Sequence, residues 1–386
     1  KGVRTTGGST ILKNFIPDQD ATVMAKIRKS GGILIGKTNL TEFAMAYTYH
    51  YPYGTPTNPW DLTRMPGGSS AGSASSTAAY TCATSLGEDT GGSIRGPAGY
   101  CGIVGLRPTQ GRVSRYGLLG SSWSQDTIGP MSRTVEDCAI TLEAIAGYDP
   151  KDRYTWKVPV PKYIDTLAQS IQGLRIGILK ECTYSDNING EVQEATLAAV
   201  KKLGDLGARI SEISFPDSVN ARAITSAITY PEGASVHSRL MQNHIGEYDH
   251  NMRITLLVGS LIPAHTYYKA QQLRQMVREE FLKLFESVDL IALPTSASTA
   301  PKIIDQPGLG SKQAFLDETF APKKTLTSLS NLTGTPSISI PCGFSSNELP
   351  IGLQLIGRPM EEATVLKASY SYEQATDWHN RRPPIS

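Results

Sequence analysis

The chain has 386 residues, of which 39% are hydrophobic and 19% charged, as is ordinary for a globular enzyme with a sizeable core. Its formal net charge is +2 with both signs interspersed, so composition does not indicate a nucleic-acid or membrane-surface partner. The longest apolar run, at residues 256–263, is far shorter than the roughly 20 residues that span a bilayer.

The first predicted helix covers residues 21–29, and an apolar stretch follows it. Residues 31–38, GGILIGKT, match the phosphate-loop pattern G-x-x-x-x-G-K-[ST]. That loop wraps the backbone N–H groups of small residues around phosphates, between a preceding strand and a following helix. Here residues 33–35 are apolar and predict a strand inside the motif, and a helix precedes it. We therefore favour a structural or surface role for Lys37, at a strand end, over nucleotide binding.

Residues 67–120 are dense in Gly, Ser and Thr and poor in charge. Short apolar pieces such as residues 103–106 interrupt this region. Flexible Gly/Ser linkers lack such apolar residues. The region therefore predicts tightly packed loops and helix starts, where backbone groups approach one another or a ligand.

The later part of the chain alternates between strand and helix patterns. Strands are predicted at residues 174–179, 209–215, 290–293, 337–340 and 352–356, and helices at residues 191–206, 265–286 and 361–374. This alternation predicts an α/β protein with a largely buried sheet. Residues 149–161 are rich in charge and Pro, and we interpret them as a surface excursion of one domain that covers residues 1–386.

Neither cysteine nor histidine spacing indicates a metal site. The five cysteines lack CxxC spacing and predict reduced thiols in a cytoplasmic protein, although a catalytic Cys–His pair stays an alternative. They are Cys82, Cys101, Cys138, Cys182 and Cys342. His244 and His250 could share a metal, but solvated surface histidines are the simpler interpretation. We therefore predict no metal and no cofactor.

Two segments place a serine directly after Gly-Gly. Ser69 lies in PGGSSAGS and Ser93 in GEDTGGSIRGP, and either segment alone would be interpreted as a turn. Gly-Gly before a serine lets successive backbone N–H groups point into one cavity, as an oxyanion hole requires. A serine at the edge of that cavity can attack a carbonyl held there. The pair of segments thus favours a serine nucleophile.

Residues 67–79 (GGSSAGSASSTAA) and 86–117 closely resemble the signature block of the amidase signature hydrolases. The resemblance covers nearly the whole chain and is weakest between residues 150 and 250. It also includes residues 21–43, 126–137 (DTIGPMSRTVED), 342–357 and 373–384. The family implies an α/β fold with a mixed, twisted central sheet covered by helices on both faces. It also implies hydrolysis of a carboxylic amide C–N bond by a Ser–cis-Ser–Lys triad.

Carried over by position, the resemblance makes Ser93 the nucleophile and Ser69 the bridging serine, with a cis peptide bond after Gly68. The implied oxyanion hole consists of the backbone N–H groups of Thr90, Gly91, Gly92 and Ser93. Ser69 would pass the proton of Ser93 to a neutral lysine, and the same route would protonate the leaving nitrogen. Water would then release the acid from the Ser93 acyl-enzyme, and ammonia or an amine would be the other product.

Arg95 and Asp89 flank the Ser93 turn. They are interpreted either as substrate contacts or as an ion pair that shapes the loop.

Two branches of the family are consistent with these motifs. One contains stand-alone amidases that act on small-molecule amides, and the other contains the glutaminase A subunits of glutamyl-tRNA(Gln) amidotransferases. Arg253 matches an arginine that holds the glutamine carboxylate in the A subunits. Lys324 falls where those subunits carry an aspartate for the α-ammonium group, and its charge has the wrong sign for that task. Residues 232–239 (EGASVHSR) also look more like the general amidases, so we expect a stand-alone amidase.

The resemblance places the catalytic lysine shortly ahead of Lys1, outside this sequence. We therefore expect a longer natural chain, with residues 1–386 alone close to inert for lack of a proton acceptor. A non-catalytic family member stays an alternative for the same reason. The expected partner is a small-molecule amide, with a homodimer possible and a second protein only in the amidotransferase branch. No nucleic-acid or membrane contact is expected.

Overall fold

The computed structural model describes residues 1–304 and 326–385. Within these ranges an eight-stranded mixed sheet has the order β1-β3-β2-β7-β8-β6-β4-β5. The strands are β1 Thr84–Glu88, β2 Val104–Arg107, β3 Ile128–Ser132, β4 Arg175–Leu179, β5 Arg209–Ile213, β6 Leu290–Pro294, β7 Ser337–Phe344 and β8 Pro350–Gly357. Strand β4 is parallel to both of its neighbours, β5 and β6, and the remaining pairs are antiparallel. This confirms the mixed sheet.

Helices surround the sheet. They are α1 Thr22–Lys29, α2 Ala71–Ala78, α3 Arg95–Cys101, α4 Val135–Ile145, α5 Ile164–Leu167, α6 Lys180–Thr183, α7 Gly190–Asp205, α8 Ala221–Val236, α9 Ser238–His244, α10 His250–Leu261, α11 Ala264–Lys283, α12 Ser328–Thr333 and α13 Glu362–Gln374. None of the helices in the described ranges has the length and apolar character that crossing a bilayer requires.

The sheet is buried on both faces. Helices α4, α7 and α13 supply side chains to one core cluster, and α8, α11 and α12 supply side chains to another. Every residue of β6 and of β8 is buried, as expected of central strands with helices on both sides. Each large aliphatic side chain removed from water in these cores stabilises the fold by about 1.5–3 kcal/mol.

Helix α7 shows how the sequence pattern sets this packing. Its buried positions Val192, Thr196, Ala199, Val200 and Leu203 recur at helical spacing and make one apolar face. The Asn189 side chain accepts a hydrogen bond from the backbone of Glu191 and caps the first turn.

The predicted elements of the later chain are confirmed with shifted ends, but the strand predicted at residues 33–35 is wrong. No described residue within 32–40 belongs to a helix or strand, and the side chains of Ile33 and Ile35 are 86% and 72% exposed. Apolar, β-branched residues form a strand only where a neighbouring strand pairs with them. No described strand lies beside this segment.

Residues 149–161 lie mostly at the surface but are fastened at three buried positions, Asp149, Asp152 and Thr155. Asp149 Oδ2 accepts hydrogen bonds from Thr22 Oγ1 at 2.5 Å and from Ser114 Oγ at 2.6 Å. The strands before this segment and those after it belong to the same sheet, since β2 pairs with β7. Residues 149–161 therefore do not separate the chain into two sheets.

Candidate active site

The two Gly-Gly-Ser segments lie against each other beside the end of β1. The backbone N–H of Ser70 donates to the carbonyl of Ser93 at 3.4 Å. The Ser70 hydroxyl donates to the carbonyl of Glu88 at 3.3 Å and accepts from its N–H at 3.2 Å. Ser70 therefore joins the loop that precedes α2 to the loop that precedes α3.

Ser69 has a fixed backbone and an unpaired hydroxyl. The peptide bond between Gly68 and Ser69 is cis. The Ser69 carbonyl accepts hydrogen bonds from Thr41 N at 3.2 Å and from Ala71 N at 2.8 Å. Its side chain is buried, and Oγ has no hydrogen-bond partner among the described residues. Since leaving a buried hydroxyl unpaired costs about 1–3 kcal/mol, Ser69 Oγ is a group available to a further partner.

Ser93 is half-buried, and the preceding Gly91 is exposed, so the turn that carries Ser93 is open to solvent. The hydroxyls of Ser93 and Ser69 are not hydrogen-bonded to each other in the part of the chain that the structure describes. The structure thus brings the two predicted serines together with neither hydroxyl engaged by the other.

Three of the four predicted oxyanion donors are unoccupied. The backbone N–H groups of Thr90, Gly91 and Ser93 donate to no acceptor within residues 1–304 and 326–385. The Gly92 N–H, by contrast, donates to Asp89 Oδ1 at 2.9 Å. The Gly92 N–H is thus engaged by a buried carboxylate, and its part in an oxyanion hole stays a prediction.

The backbone conformation at position 92 requires a glycine. Its φ is +116°, and a Cβ built there would lie 2.2 Å from Thr327 Oγ1. Thr327 in turn donates from Oγ1 to the carbonyl of Gly91 at 2.8 Å. Thr327 lies 236 residues away in the sequence, and no local pattern identifies it as a partner of this turn.

Beneath the turn, Asp89 and Arg95 form a fully buried ion pair. Arg95 donates to both Asp89 oxygens at 3.0 Å, and Asp89 Oδ2 also accepts from Ile94 N at 3.2 Å. Burial alone would raise the pKa of Asp89, but Arg95 and Arg107 outweigh it and hold that pKa well below the ordinary range. Because both side chains are fully buried, the structure supports a loop-shaping role for the pair over substrate contact.

Arg95 also connects this turn to the C-terminal part of the sheet. It donates to the Thr327 carbonyl at 2.9 Å, to Asn331 Oδ1 at 2.8 Å and to Gln354 Oε1 at 2.5 Å. Gln354 lies in β8, so the Ser93 turn is anchored to a central strand.

Arg253, the predicted substrate contact, lies in α10 and is half-buried. Its guanidinium has no hydrogen-bond or ion-pair partner in the described ranges. Asp249 caps helix α10, and its Oδ2 accepts hydrogen bonds from the backbone of Tyr49 at 3.3 Å and of His50 at 3.2 Å. Lys324 lies outside the described residues.

The other polar residues considered in the sequence lie elsewhere. Lys37 is exposed and donates to Thr5 Oγ1, and no helix begins directly after it, unlike in a phosphate loop. His244 pairs with Glu247 at 2.6 Å, and no metal-binding group of His, Cys, Asp and Glu side chains occurs among the described residues. Burial raises the pKa of four of the five thiols, which keeps them protonated and poor nucleophiles: Cys101, Cys138, Cys182 and Cys342.

Comparison with known proteins agrees with this architecture. Residues 1–366 match the family described as Amidase. The A subunit of glutamyl-tRNA(Gln) amidotransferase from Rippkaea orientalis is 41% identical, over all of this chain and 83% of that relative. The structure of the corresponding A subunit from Thermotoga maritima has a TM-score of 0.84 at 34% identity, over 97% of this chain and 80% of that one.

The structure of 6-aminohexanoate cyclic dimer hydrolase has a TM-score of 0.89 at 26% identity, and covers 100% of this chain and 84% of that one. Sequence and fold thus give the same answer: the chain belongs to the amidase family.

Proposed function

We propose that the protein hydrolyses a carboxylic amide through an acyl-enzyme on Ser93. The observation that carries this proposal is the loop junction itself. It combines the half-buried Ser93, the unpaired hydroxyl of Ser69 in the adjoining loop, and three backbone N–H groups without an acceptor among the described residues. Donors fixed before the reaction stabilise the oxyanion that forms when Ser93 adds to a carbonyl.

Proton transfer is assigned to Ser69. Its Oγ takes the proton from Ser93 and returns it to the leaving nitrogen, which a poor leaving group requires. The final proton acceptor in this proposal is a neutral lysine, as in the triad that the family resemblance implies.

For the substrate, the relatives favour glutamine. Proteins 41% identical over this whole chain are A subunits of glutamyl-tRNA(Gln) amidotransferases. The unpaired, half-buried guanidinium of Arg253 suits a ligand carboxylate such as that of glutamine. In this interpretation the chain releases ammonia from glutamine for a second protein of the same complex.

A stand-alone amidase is the second candidate. The charge of Lys324 at the place expected for an ammonium-binding aspartate favours it. The likeness to 6-aminohexanoate cyclic dimer hydrolase supports it as well.

An activity panel separates the two candidates. Ammonia release is measured from glutamine, asparagine and small aliphatic and aromatic amides, with the parent protein and with Arg253→Gln. If glutamine is the substrate, Arg253→Gln raises its KM by about 10- to 100-fold, the value of a lost charge-assisted hydrogen bond. The exposed Arg209 on β5 supplies the matched control, and Arg209→Gln should change nothing. Hydrolysis of small amides but not of glutamine would favour the second candidate.

The nucleophile is tested directly. A fluorophosphonate probe should label Ser93 alone, and Ser93→Ala should abolish labelling and lower the rate by several powers of ten while circular dichroism stays unchanged. Label found by mass spectrometry on Ser69, Ser70 or Ser121 would contradict the assignment. An active, folded Ser93→Ala protein would contradict the mechanism.

A further inference from the structure

A pair of buried acids lies directly behind the proposed oxyanion hole. The hydroxyl of Thr90 is within hydrogen-bond distance of Glu88 Oε1 and, at 2.6 Å, of Asp126 Oδ1. Glu88, Thr90 and Asp126 are all buried. A threonine hydroxyl carries one hydrogen, so it can donate to only one of the two acids. The other acid must donate to Thr90, or two lone pairs face each other at short range.

The surroundings identify which acid holds the negative charge. Asp126 accepts from the backbone N–H groups of Ser121 at 2.9 Å and of Ser122 at 2.9 and 3.0 Å, and from Ser121 Oγ at 3.2 Å. Several donors converge on Asp126, as an anion requires. Among the described residues the Glu88 carboxyl has a single hydrogen-bond partner, the Thr90 hydroxyl, and its Oε2 is buried without any. An unpaired oxygen costs far less on a neutral acid than on a carboxylate.

We propose that Glu88 is a positioning residue of the reaction: as the neutral acid it donates to Thr90, and Thr90 donates to Asp126. This chain of hydrogen bonds fixes Thr90, whose backbone N–H is one of the three open donors. The proposal rests on the proposed function, since the donors matter only if an oxyanion forms there. Glu88 touches no substrate and acts through Thr90.

The charges around Glu88 agree with its neutral form. Burial first, and then Asp126, raise the pKa of Glu88 well above its usual range, and Asp89 acts in the same direction. The hydrogen bond with Thr90 and, to a smaller extent, the charge of Arg107 on β2 lower this pKa. Helix α2, which packs against β1, carries no charged residue. Ionisation of Glu88 at alkaline pH removes the donor to Thr90 and places a second negative charge beside Asp126.

The decisive variant is Glu88→Gln, which keeps the shape and a donor but cannot ionise. We expect the kcat of the parent protein to fall at high pH, as Glu88 ionises; this fall is the alkaline limb. In Glu88→Gln, kcat at lower pH should stay within about threefold of the parent value, and the alkaline limb should disappear. Glu373→Gln is the control, because Glu373 is another buried acid with a raised pKa that contacts the α4 N-terminus instead of these loops. Its kcat profile should match the parent profile. The proposal is overturned if the alkaline limb persists in Glu88→Gln, or if folded Glu88→Gln loses more than about tenfold in kcat.

An infrared measurement tests the charge of Glu88 without any activity. The parent should show a carboxylic-acid C=O component that is missing from the spectrum of Glu88→Gln. Glu373→Gln should lose only the separate component of Glu373, which fades as pH rises through about 7, and should retain that of Glu88. Absence of the Glu88 band overturns the proposal, whatever the kinetics. If the band is present and the parent hydrolyses no amide, the proposed function fails and the positioning role fails with it. If hydrolysis is normal but the limb persists, this inference alone fails.

Discussion

Ser69 differs from its neighbour Ser70 in what its hydroxyl contacts. The Ser70 hydroxyl joins two loops, whereas that of Ser69 has no partner among the described residues. Ser69→Ala should therefore lower kcat by about 10²- to 10⁴-fold, the usual size of a general acid–base contribution, and leave the melting temperature nearly unchanged.

Ser70→Ala is the comparison, and it should lower the melting temperature more than Ser69→Ala does. If Ser69→Ala keeps more than a tenth of the parent kcat, Ser69 lies outside the proton-transfer route.

Asp89 should make the protein sensitive to acid. Its pKa is depressed in the folded state, so the stability it contributes is present above its unfolded pKa of about 4 and is lost as pH falls below that value. Asp89→Asn leaves Arg95 buried without its counter-charge and should cost about 3–5 kcal/mol of unfolding free energy at pH 7 in urea titrations. Asp89→Asn should also make the free energy of unfolding less dependent on pH below about 4.

Asp205 supplies the matched control. It pairs with Lys201 at 3.0 Å on the surface, and Asp205→Asn should change the free energy of unfolding by no more than about 1 kcal/mol. Equal losses for the two variants would show that burial of the Asp89 pair has no energetic importance.

At this scale the sequence predicts much of the site. Thr90, Gly91 and Ser93 stand in one contiguous motif and Ser69 in a second Gly-Gly-Ser motif, and the family resemblance pairs the two motifs. The engagement of the Gly92 N–H could not be inferred, because it depends on where the Asp89 side chain turns inside the folded loop.

At the scale of the element, the Ser93 turn contains two adjacent glycines with different constraints. Gly92→Ala meets Thr327 at 2.2 Å and requires a positive φ, so it should destabilise the protein by more than about 1 kcal/mol and abolish probe labelling of Ser93. A Cβ at Gly91 meets nothing within 4 Å, so Gly91→Ala should fold normally. Thermal unfolding of both variants measures the difference, and equal stability would contradict the conformational requirement at Gly92.

A carboxyl group that can titrate, that of Glu373, contacts the N-terminus of helix α4. Val135 N donates to Glu373 Oε1 at 2.8 Å, and burial is the main cause that raises the pKa of Glu373 to about 7. A raised folded-state pKa gives stability that is full below the unfolded value and is lost as pH rises through about 7. The parent should therefore lose free energy of unfolding between pH 4.5 and 8, whereas Glu373→Gln should not. Urea unfolding should show the difference between the two proteins change by at most about 3 kcal/mol over this range. A constant difference across this range would contradict the assignment.

The strands that the sequence predicts and those that it does not differ in composition. Strands β4, β6 and β8 are predominantly apolar, β7 begins with alternating Ser and Ile, and all four could be recognised. Strands β1 (TSLGE) and β3 (IGPMS) contain Gly, Ser and Pro, which disfavour strands when read locally, and they form because each pairs with the other. The error at residues 33–35 has the same physical origin, since pairing outweighs local propensity.

At the scale of the whole molecule, the α/β class followed from the alternation of elements, whereas the strand order did not. The site depends on contacts between distant parts of the chain, such as Arg95 with Asn331 and Gln354. Loss of the site and global unfolding should therefore coincide. Fluorophosphonate labelling of Ser93 and far-ultraviolet circular dichroism should give the same urea midpoint. Labelling that disappears at much lower urea would show that the turn opens locally.

The strand order also has a consequence for biosynthesis. In the folded protein β2 and β6 are neighbours of the hairpin β7–β8, which leaves the ribosome after the other strands of the described sheet. Until it arrives, the nascent chain holds two half-sheets, each with an unpaired edge that becomes central in the finished protein. Such edges are templates for wrong pairing, so a chaperone that shields them during translation should improve the yield of folded protein.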